Sequence, residues 1–326
     1  MLNMPMDVLR KHPVRKSRKQ KQAFRNAVED YANNLGYTFQ TEKGRSKNIV
    51  IGDADQAKYL VSAHYDTGAV LPAANRIYAD NGLFYVINQL YIGIQLTILP
   101  ILFSGVFAVV AMLLYYRNMP LYNHGHIIAL GVAVFLFSLI VLLTISFCMV
   151  YYGPANKNNA NDNTSGIVTL LEIMRSLPES QRHKVCFVLF DRNETGLQGS
   201  SSYLNKHRKV LENQLVLNLC CVGDGDHILL FPTDKLKRNN GLYASVYKCC
   251  GYFGPKSILV KENGGSLHPT DHRKFPNAVG ISAFKKGKSG HYIDRIHTSR
   301  DTVLDITNVN LLRAAICSMI CGDAVH

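Results

Sequence analysis

The 326-residue chain lacks a C-x-x-C pair. Its 8 cysteines stand singly (Cys148, Cys186), as neighbours (Cys220-Cys221, Cys249-Cys250), or one helical turn apart (Cys317, Cys321). That excludes a structural zinc knuckle and a disulfide scaffold, and points to reduced thiols in a cytosolic compartment. Acidic residues are missing from the first basic run, in which Arg10, Lys11, Arg15, Lys16, Arg18, Lys19, Lys21 and Arg25 meet no carboxylate. No apolar h-region follows Met1, so a cleaved signal peptide is not expected. Charge is absent altogether from Gly82 to Tyr116 and again from Ile127 to Tyr152. There is no internal repeat or low-complexity segment.

The uncharged stretches are the strongest feature present. Leu96–Tyr116 and Ile127–Tyr152, at 21 and 26 residues, are each long enough for a hydrocarbon core, which needs about 20 apolar residues. Tyr115, Tyr116, Tyr151 and Tyr152 stand at their ends, as interfacial aromatics do. The sequence therefore predicts a transmembrane hairpin over 82–152, spanning at about 96–116 and 127–152, between residues 1–81 and 153–326. A hairpin returns the chain to the side it left. The net charge of +13 and the basic arm place that side in the cytoplasm, beneath a bacterial-type cytoplasmic membrane. The arm lacks interleaved aromatics, so the expected partner of its charge is the lipid bilayer and not nucleic acid.

The remainder alternates strands and helices. A helix is expected near Lys21–Leu35, with Ala23, Ala27, Tyr31 and Leu35 on one face. Strands are expected at Asn48–Gly52, Tyr59–Ala63, Val185–Phe190, Leu215–Leu219 and Gly280–Phe284. Val185–Phe190 is apolar on both faces and suits the centre of a covered sheet. Ile167, Leu170, Leu171 and Met174 form one face of a helix that Thr164 or Ser165 can cap. Thr307 is expected to cap a last helix with Val309, Leu312, Ile316 and Ile320 as its stripe. The alternation implies an α/β sandwich split by the hairpin.

Four strand or loop ends carry metal-competent side chains: His64, Asp162, Glu194 and His297. Imidazole and carboxylate donors from separate strand ends suit catalytic zinc, and a carboxylate such as Asp162 can bridge two ions. A lone Asp between two asparagines is also what a capped turn looks like.

Five ordered stretches carry a more specific signal. They are Ala63-His64-Tyr65-Asp66-Thr67, Asn161-Asp162-Asn163-Thr164-Ser165-Gly166, Glu194-Thr195-Gly196-Leu197-Gln198-Gly199-Ser200, Thr270-Asp271-His272-Arg273-Lys274-Phe275 and His297-Thr298-Ser299-Arg300-Asp301-Thr302. In kind and order they resemble the co-catalytic zinc exopeptidases of peptidase family M28, over roughly residues 20–80 and 153–326. The resemblance implies a three-layer α/β/α sandwich with a mixed central sheet, here interrupted by the hairpin. It also implies aminopeptidase-type cleavage of peptides and two zinc ions. His64 and His297 would each bind one ion, Asp162 would bridge both, and Glu194 would complete the set with His297. Asp66 would orient His64, and Asp271 and His272 would shape the substrate pocket, although a turn-stabilising pair is an equal reading of these two.

Two positions depart from the family pattern. Asn193 stands where the family has the general base, and an amide cannot take a proton. Cys220 stands where the family has an Asp ligand; a thiolate can bind zinc at about 2.3 Å, against about 2.0–2.2 Å for a carboxylate. Asp191 and Asp224 are the nearest acids in sequence that could replace the base. The expectation is a membrane-anchored zinc hydrolase, the alternative a catalytically silent descendant whose cleft binds a peptide or partner. The oligomeric state is not specified by the sequence.

Overall fold

A computed structural model describes residues 5–71, 75–118, 124–261 and 270–322. Helices α1 (Pro5–Lys11) and α2 (Arg18–Asn34) precede strands β1 (Phe39–Thr41), β2 (Ile49–Ile51), β3 (Tyr59–His64) and β4 (Ile77–Tyr78). Two long helices follow, α3 (Gly82–Asn118) and α4 (His124–Tyr152). The chain then runs through α5 (Gly166–Ser176), β5 (Val185–Phe190), α6 (Gln198–Leu211), β6 (Leu215–Leu219) and β7 (His227–Pro232). The short helices α7 (Asp234–Lys237) and α8 (Asn240–Tyr247) lead to β8 (Gly251–Phe253), β9 (Lys256–Val260), β10 (Ala278–Gly287), β11 (Gly290–Ile293) and α9 (Ile306–Cys321).

The central sheet has the order β1-β2-β5-β3-β6-β10-β7-β9-β8, and β11 and β4 extend from β10. It is mixed. β3 runs parallel to both β5 and β6, and β6 parallel to β10, whereas β7 is antiparallel to β10. Every residue of β5 is buried, as its two-faced apolar run requires. Alternate residues serve opposite faces. Ile49, Ile51, Phe187 and Leu189 join α2, α5 and α9 in one core, while Val50, Cys186, Val188 and Phe190 pack with Tyr203 and Leu211 of α6 on the other. Helices therefore cover both faces of the sheet, giving the α/β/α layering.

Three local expectations need correction. The buried face of α2 is Phe24, Arg25, Val28, Tyr31 and Ala32, not the stripe through Ala23 and Ala27, because Phe24 carries far more apolar area than an alanine. Neither Thr164 nor Ser165 caps α5: the Ser165 hydroxyl donates to the Asn161 carbonyl at 2.7 Å, and that of Thr164 to Asn159 at 2.6 Å. The cap of α9 is Asp305, whose carboxylate accepts the Thr307 N–H at 2.8 Å, so Thr307 is the capped residue.

α3 and α4 are long and apolar enough to cross a membrane, and they pack against each other. Only 17% and 6% of their most apolar windows are buried, which separates them from core helices of a soluble domain. α3 begins at Gly82, well before Leu96; its 37 residues amount to about 55 Å, against a hydrocarbon core of about 30 Å. The flanks of the pair meet at its base, where the Val70 N–H donates to the Pro154 carbonyl at 3.0 Å and the Asn156 N–H to the Gly68 carbonyl at 2.9 Å. The loop joining the two helices, residues 119–123, lies outside the described residues.

Candidate metal centre

Three parallel strands end at one edge of the sheet, the place where open α/β sheets hold ligands. His64 is the last residue of β3, Asn193 and Glu194 follow β5, and Cys220 follows β6. Asp162 comes from the turn before α5, and His297 from the loop between β11 and α9. One Asp162 oxygen lies 3.3 Å from His64 Nε2 and the other 3.3 Å from His297 Nε2. Glu194 approaches His297 Nε2 at 3.8 Å. Donor atoms of His64, Asp162 and Cys220 lie within 4.8 Å of one another, as do those of Asp162, Glu194 and His297.

The flanking residues explain why Asp162 stands between asparagines. Asn161 accepts the Gly223 N–H at 2.7 Å; Asn163 donates to the Leu219 carbonyl at 3.0 Å and accepts the Cys221 N–H at 3.1 Å. Both amides thus fasten the turn to the end of β6. The Asn161 and Asp162 N–H groups donate to the two Asp301 oxygens at 2.8 and 3.0 Å, which fixes the direction of Asp162. Asp66 sits 3.5 Å from His64 Nδ1 and accepts the N–H groups of Asn193 and Glu194 at 3.0 and 3.1 Å.

Sequence reasoning overlooked three contributors. Arg15, counted with the basic arm, is fully buried. It donates to the Tyr65 carbonyl at 2.7 Å and to Asn159 and Thr164 at 3.2 Å, tying the N-terminal segment to the end of β3 and the Asp162 turn. Burial pushes its pKa down to about 10, against the pull of Asp66 and Asp162. Nothing in an unbroken basic run marks one Arg as internal. Gly68 is needed for close approach: a Cβ there would stand 2.8 Å from Glu194 Oε2 and 2.9 Å from His297 Nδ1. Asp301 lies within the last quoted motif, where its hydrogen bonds to the Asp162 turn could have been sought.

The electrostatics call for a cation. Burial, then repulsion from Asp162, pushes Asp301 up to about 7. Glu194 is also raised to about 7 by burial, with Asp162 adding to the rise and His297 opposing it. Burial disfavours the His64 imidazolium, yet hydrogen bonds to Asp162 and Asp66 overcome it and raise its pKa well above the ordinary value. Two imidazoles, one carboxylate and a thiol around a shared aspartate match the donors that zinc takes.

A cavity of about 350 Å³ opens over these groups, lined also by Asn193, Thr270, Ile296, Tyr85 of α3 and Tyr151 of α4. Asp271 and His272 are buried behind its Thr270 wall, and Asp271 accepts the Asn193 side-chain N–H at 2.8 Å. Burial raises Asp271 to about 6. Asp191 and Asp224 are turned to other tasks: Asp191 pairs with Lys21 at 2.5 Å and Asp224 with Lys285 at 2.8 Å.

The model of peptidase family M28 matches residues 147–319, more than half of the chain. The chain belongs to peptidase family M28. Among solved structures, a Porphyromonas gingivalis glutaminyl cyclase aligns over 99% of this chain and 98% of its own, with 16% identity and a TM-score of 0.58. A leucine aminopeptidase precursor from Bacteroides thetaiotaomicron aligns over 98% and 96%, with 13% identity and a TM-score of 0.56. A glutaminyl cyclase from the same organism, bound to N-acetylhistamine, covers 98% and 97% at 12% identity and a TM-score of 0.54. At these identities the likeness is one of fold, and it covers the expected sandwich with its mixed sheet. No curated protein matches the chain by sequence.

Proposed function

We propose that this family member is a membrane-anchored, zinc-dependent hydrolase that removes residues from peptides in the manner of an aminopeptidase. The observation that carries the reading is Asp162 with one oxygen directed to each of two imidazoles, inside a cavity large enough for a peptide end. His64, Asp162 and Cys220 would hold one ion, and Asp162, Glu194 and His297 a second. Zinc there supplies Lewis-acid polarisation of a peptide carbonyl and eases the ionisation of water.

The chain's own groups do the positioning. Asp66 holds the His64 ring from its far side, as carboxylates behind metal-binding imidazoles commonly do. Asn193 gives its side-chain N–H to Asp271, leaving its oxygen to accept a hydrogen bond from a substrate N–H or a water. It cannot take the proton. Asp271 is the acid closest to that duty, with a pKa lifted by burial towards the range where a carboxylate serves as a base. Tyr85 and Tyr151 bring the cleft to the base of the long helices, which we read as spanning the cytoplasmic membrane with the sandwich on the cytoplasmic side.

Asn193 also favours a second reading, a silent descendant that keeps the cleft for peptide or partner binding. Metal content of the detergent-solubilised chain, measured with hydrolysis of aminoacyl amides, separates the two. A peptide with N-terminal Gln belongs in the panel, given the glutaminyl cyclases of like fold. Zinc with turnover abolished by Asp162→Ala is expected. A metal-free, inactive chain that gains nothing from Asn193→Glu with Cys220→Asp would leave only the binding role.

A further inference from the structure

A second cavity, of about 690 Å³, adjoins the metal cleft and shares Glu194 and Tyr151 with it. Its wall comes from the N-terminal segment, the loop after β1, the turn after β5 and the end of α4. Lys16, Arg18, Lys19, Arg45 and Lys47 line it, and among the described residues none of them forms a salt bridge. The acids in the same wall have other partners, and Glu194, whose charge also reaches Lys16, faces His297 at 3.8 Å. Asp191 is held by Lys21 at 2.5 Å and by the Lys47 N–H at 3.0 Å, and the Asp66 carboxylate takes the Asn193 and Glu194 N–H groups. The Lys16 ammonium is shielded from solvent and has no hydrogen-bond partner among the described residues. A buried charged donor left unpaired is costly, and a ligand that accepts from it recovers that cost.

We propose that this cavity binds a phosphate group, presented by an anionic lipid headgroup beside the metal cleft. Five basic side chains lining one cavity offer more donors than the two oxygens of a single carboxylate can take. A phosphate, whether a monoester or the singly charged diester of a lipid headgroup, has several oxygens that can serve lysine and arginine together. The lipid source follows from the wall itself, because Tyr151 and Tyr152 end the second long apolar helix and stand at the level where headgroups lie. Basic clusters next to membrane helices attract anionic lipids by this chemistry. The phosphate site stands independently of the proposed function; only its lipid source rests on the membrane reading.

The test uses the full chain in neutral detergent. Binding of inorganic phosphate, glycerophosphate and dihexanoyl phosphatidylglycerol is measured by calorimetry, and lipid retained from mixed phosphatidylglycerol and phosphatidylcholine membranes by native mass spectrometry. Lys16→Gln with Arg18→Gln and Lys19→Gln should weaken all three ligands about tenfold or more, as loss of charged hydrogen bonds does. Arg208→Gln with Lys209→Gln, an exposed basic pair on α6 away from the cavity, should change them less than about twofold. Lys16→Arg, which keeps the charge, should bind as the unaltered chain does. The unaltered chain should retain phosphatidylglycerol over phosphatidylcholine, and the triple variant should not. Equal weakening by the α6 pair, or no binding of any phosphate compound, overturns the site. Phosphate binding that is lost in the triple variant while phosphatidylglycerol retention persists overturns the lipid source. Neither result depends on turnover, so an inactive enzyme does not imitate either.

Discussion

At the residue scale, Asn193 brings an amide where the family pattern has a carboxylate. On the proposed reading its amide takes the proton acceptor's place, and its side-chain N–H is held by Asp271. Asn193→Glu is expected to raise aminoacyl amide turnover by about 10²–10⁴-fold, the contribution a positioned base typically makes. Initial rates at saturating substrate check this; a measurable rate left unchanged is the outcome expected if Asp271 already serves as the base. Gly68 has the opposite sensitivity. Gly68→Ala sets a methyl group 2.8 Å from Glu194 Oε2, so that carboxylate must shift. Zinc affinity, followed with a chromogenic chelator, is expected to fall by about 10–100-fold, as when a ligand's support is altered. His64, Asp162, Glu194 and His297 were legible as candidate donors from residue type together with the order of the family-like motifs, since each alone also reads as a hydrogen-bonded turn. Arg15 and Gly68 were not, because the roles of a buried cation and a missing side chain depend on neighbours far along the chain.

At the element scale, the N-terminal segment belongs to the site's foundation. Arg15 reaches the Tyr65 carbonyl and the Asn159 and Thr164 side chains, groups far apart in sequence. Arg15→Ala takes this donor from the Tyr65 carbonyl and from the Asn159–Thr164 pair, whose own hydrogen bond remains, and should cost about 1–3 kcal/mol. Thermal unfolding of the purified chain reads that loss, with zinc release at a lower temperature than in the unaltered protein. α5 gives a comparison without polar partners: Leu170→Ala removes a fully buried side chain and should cost about 2–5 kcal/mol. β5 and the stripe of α9 were readable from apolar pattern alone. The face of α2 was not, since Phe24 and Val28 lie next to the four-residue stripe and burial chose the larger side chains.

At the scale of the whole molecule, metal, protons and stability are linked. Glu194 and Asp301 are each raised to about 7, from ordinary values of 4.5 and 3.8. Between those limits the metal-free folded chain binds protons that the unfolded chain has released. Its stability is therefore highest at low pH within that window and declines as pH rises through about 7. Zinc competes with the same protons, so stabilisation by zinc should grow as pH rises from about 5 to about 8. Unfolding temperatures with and without zinc across that range check both slopes, and Glu194→Gln should flatten the metal-free one. The long helices make a separate prediction. The chain is expected to stay with membranes through an alkaline carbonate wash. Replacing residues 82–152 by a short Gly-Ser linker should release a folded sandwich, since Gly68–Val70 already pairs with Pro154–Asn156 at the base.

By itself the sequence determined the composition of each layer. Apolar period and length set the strands, the covered sheet and the two long helices, because burial of side chains along one element is a local property. It also determined the donor types, because zinc's preference for imidazole, carboxylate and thiolate is chemical and does not wait for a fold. Only the tertiary structure decided that Asp162 faces both imidazoles, that Asp301 and two asparagines aim it, and that a basic segment curls back to wall a cavity beside α4. Those are distances between residues remote along the chain, and they are set by how the layers pack.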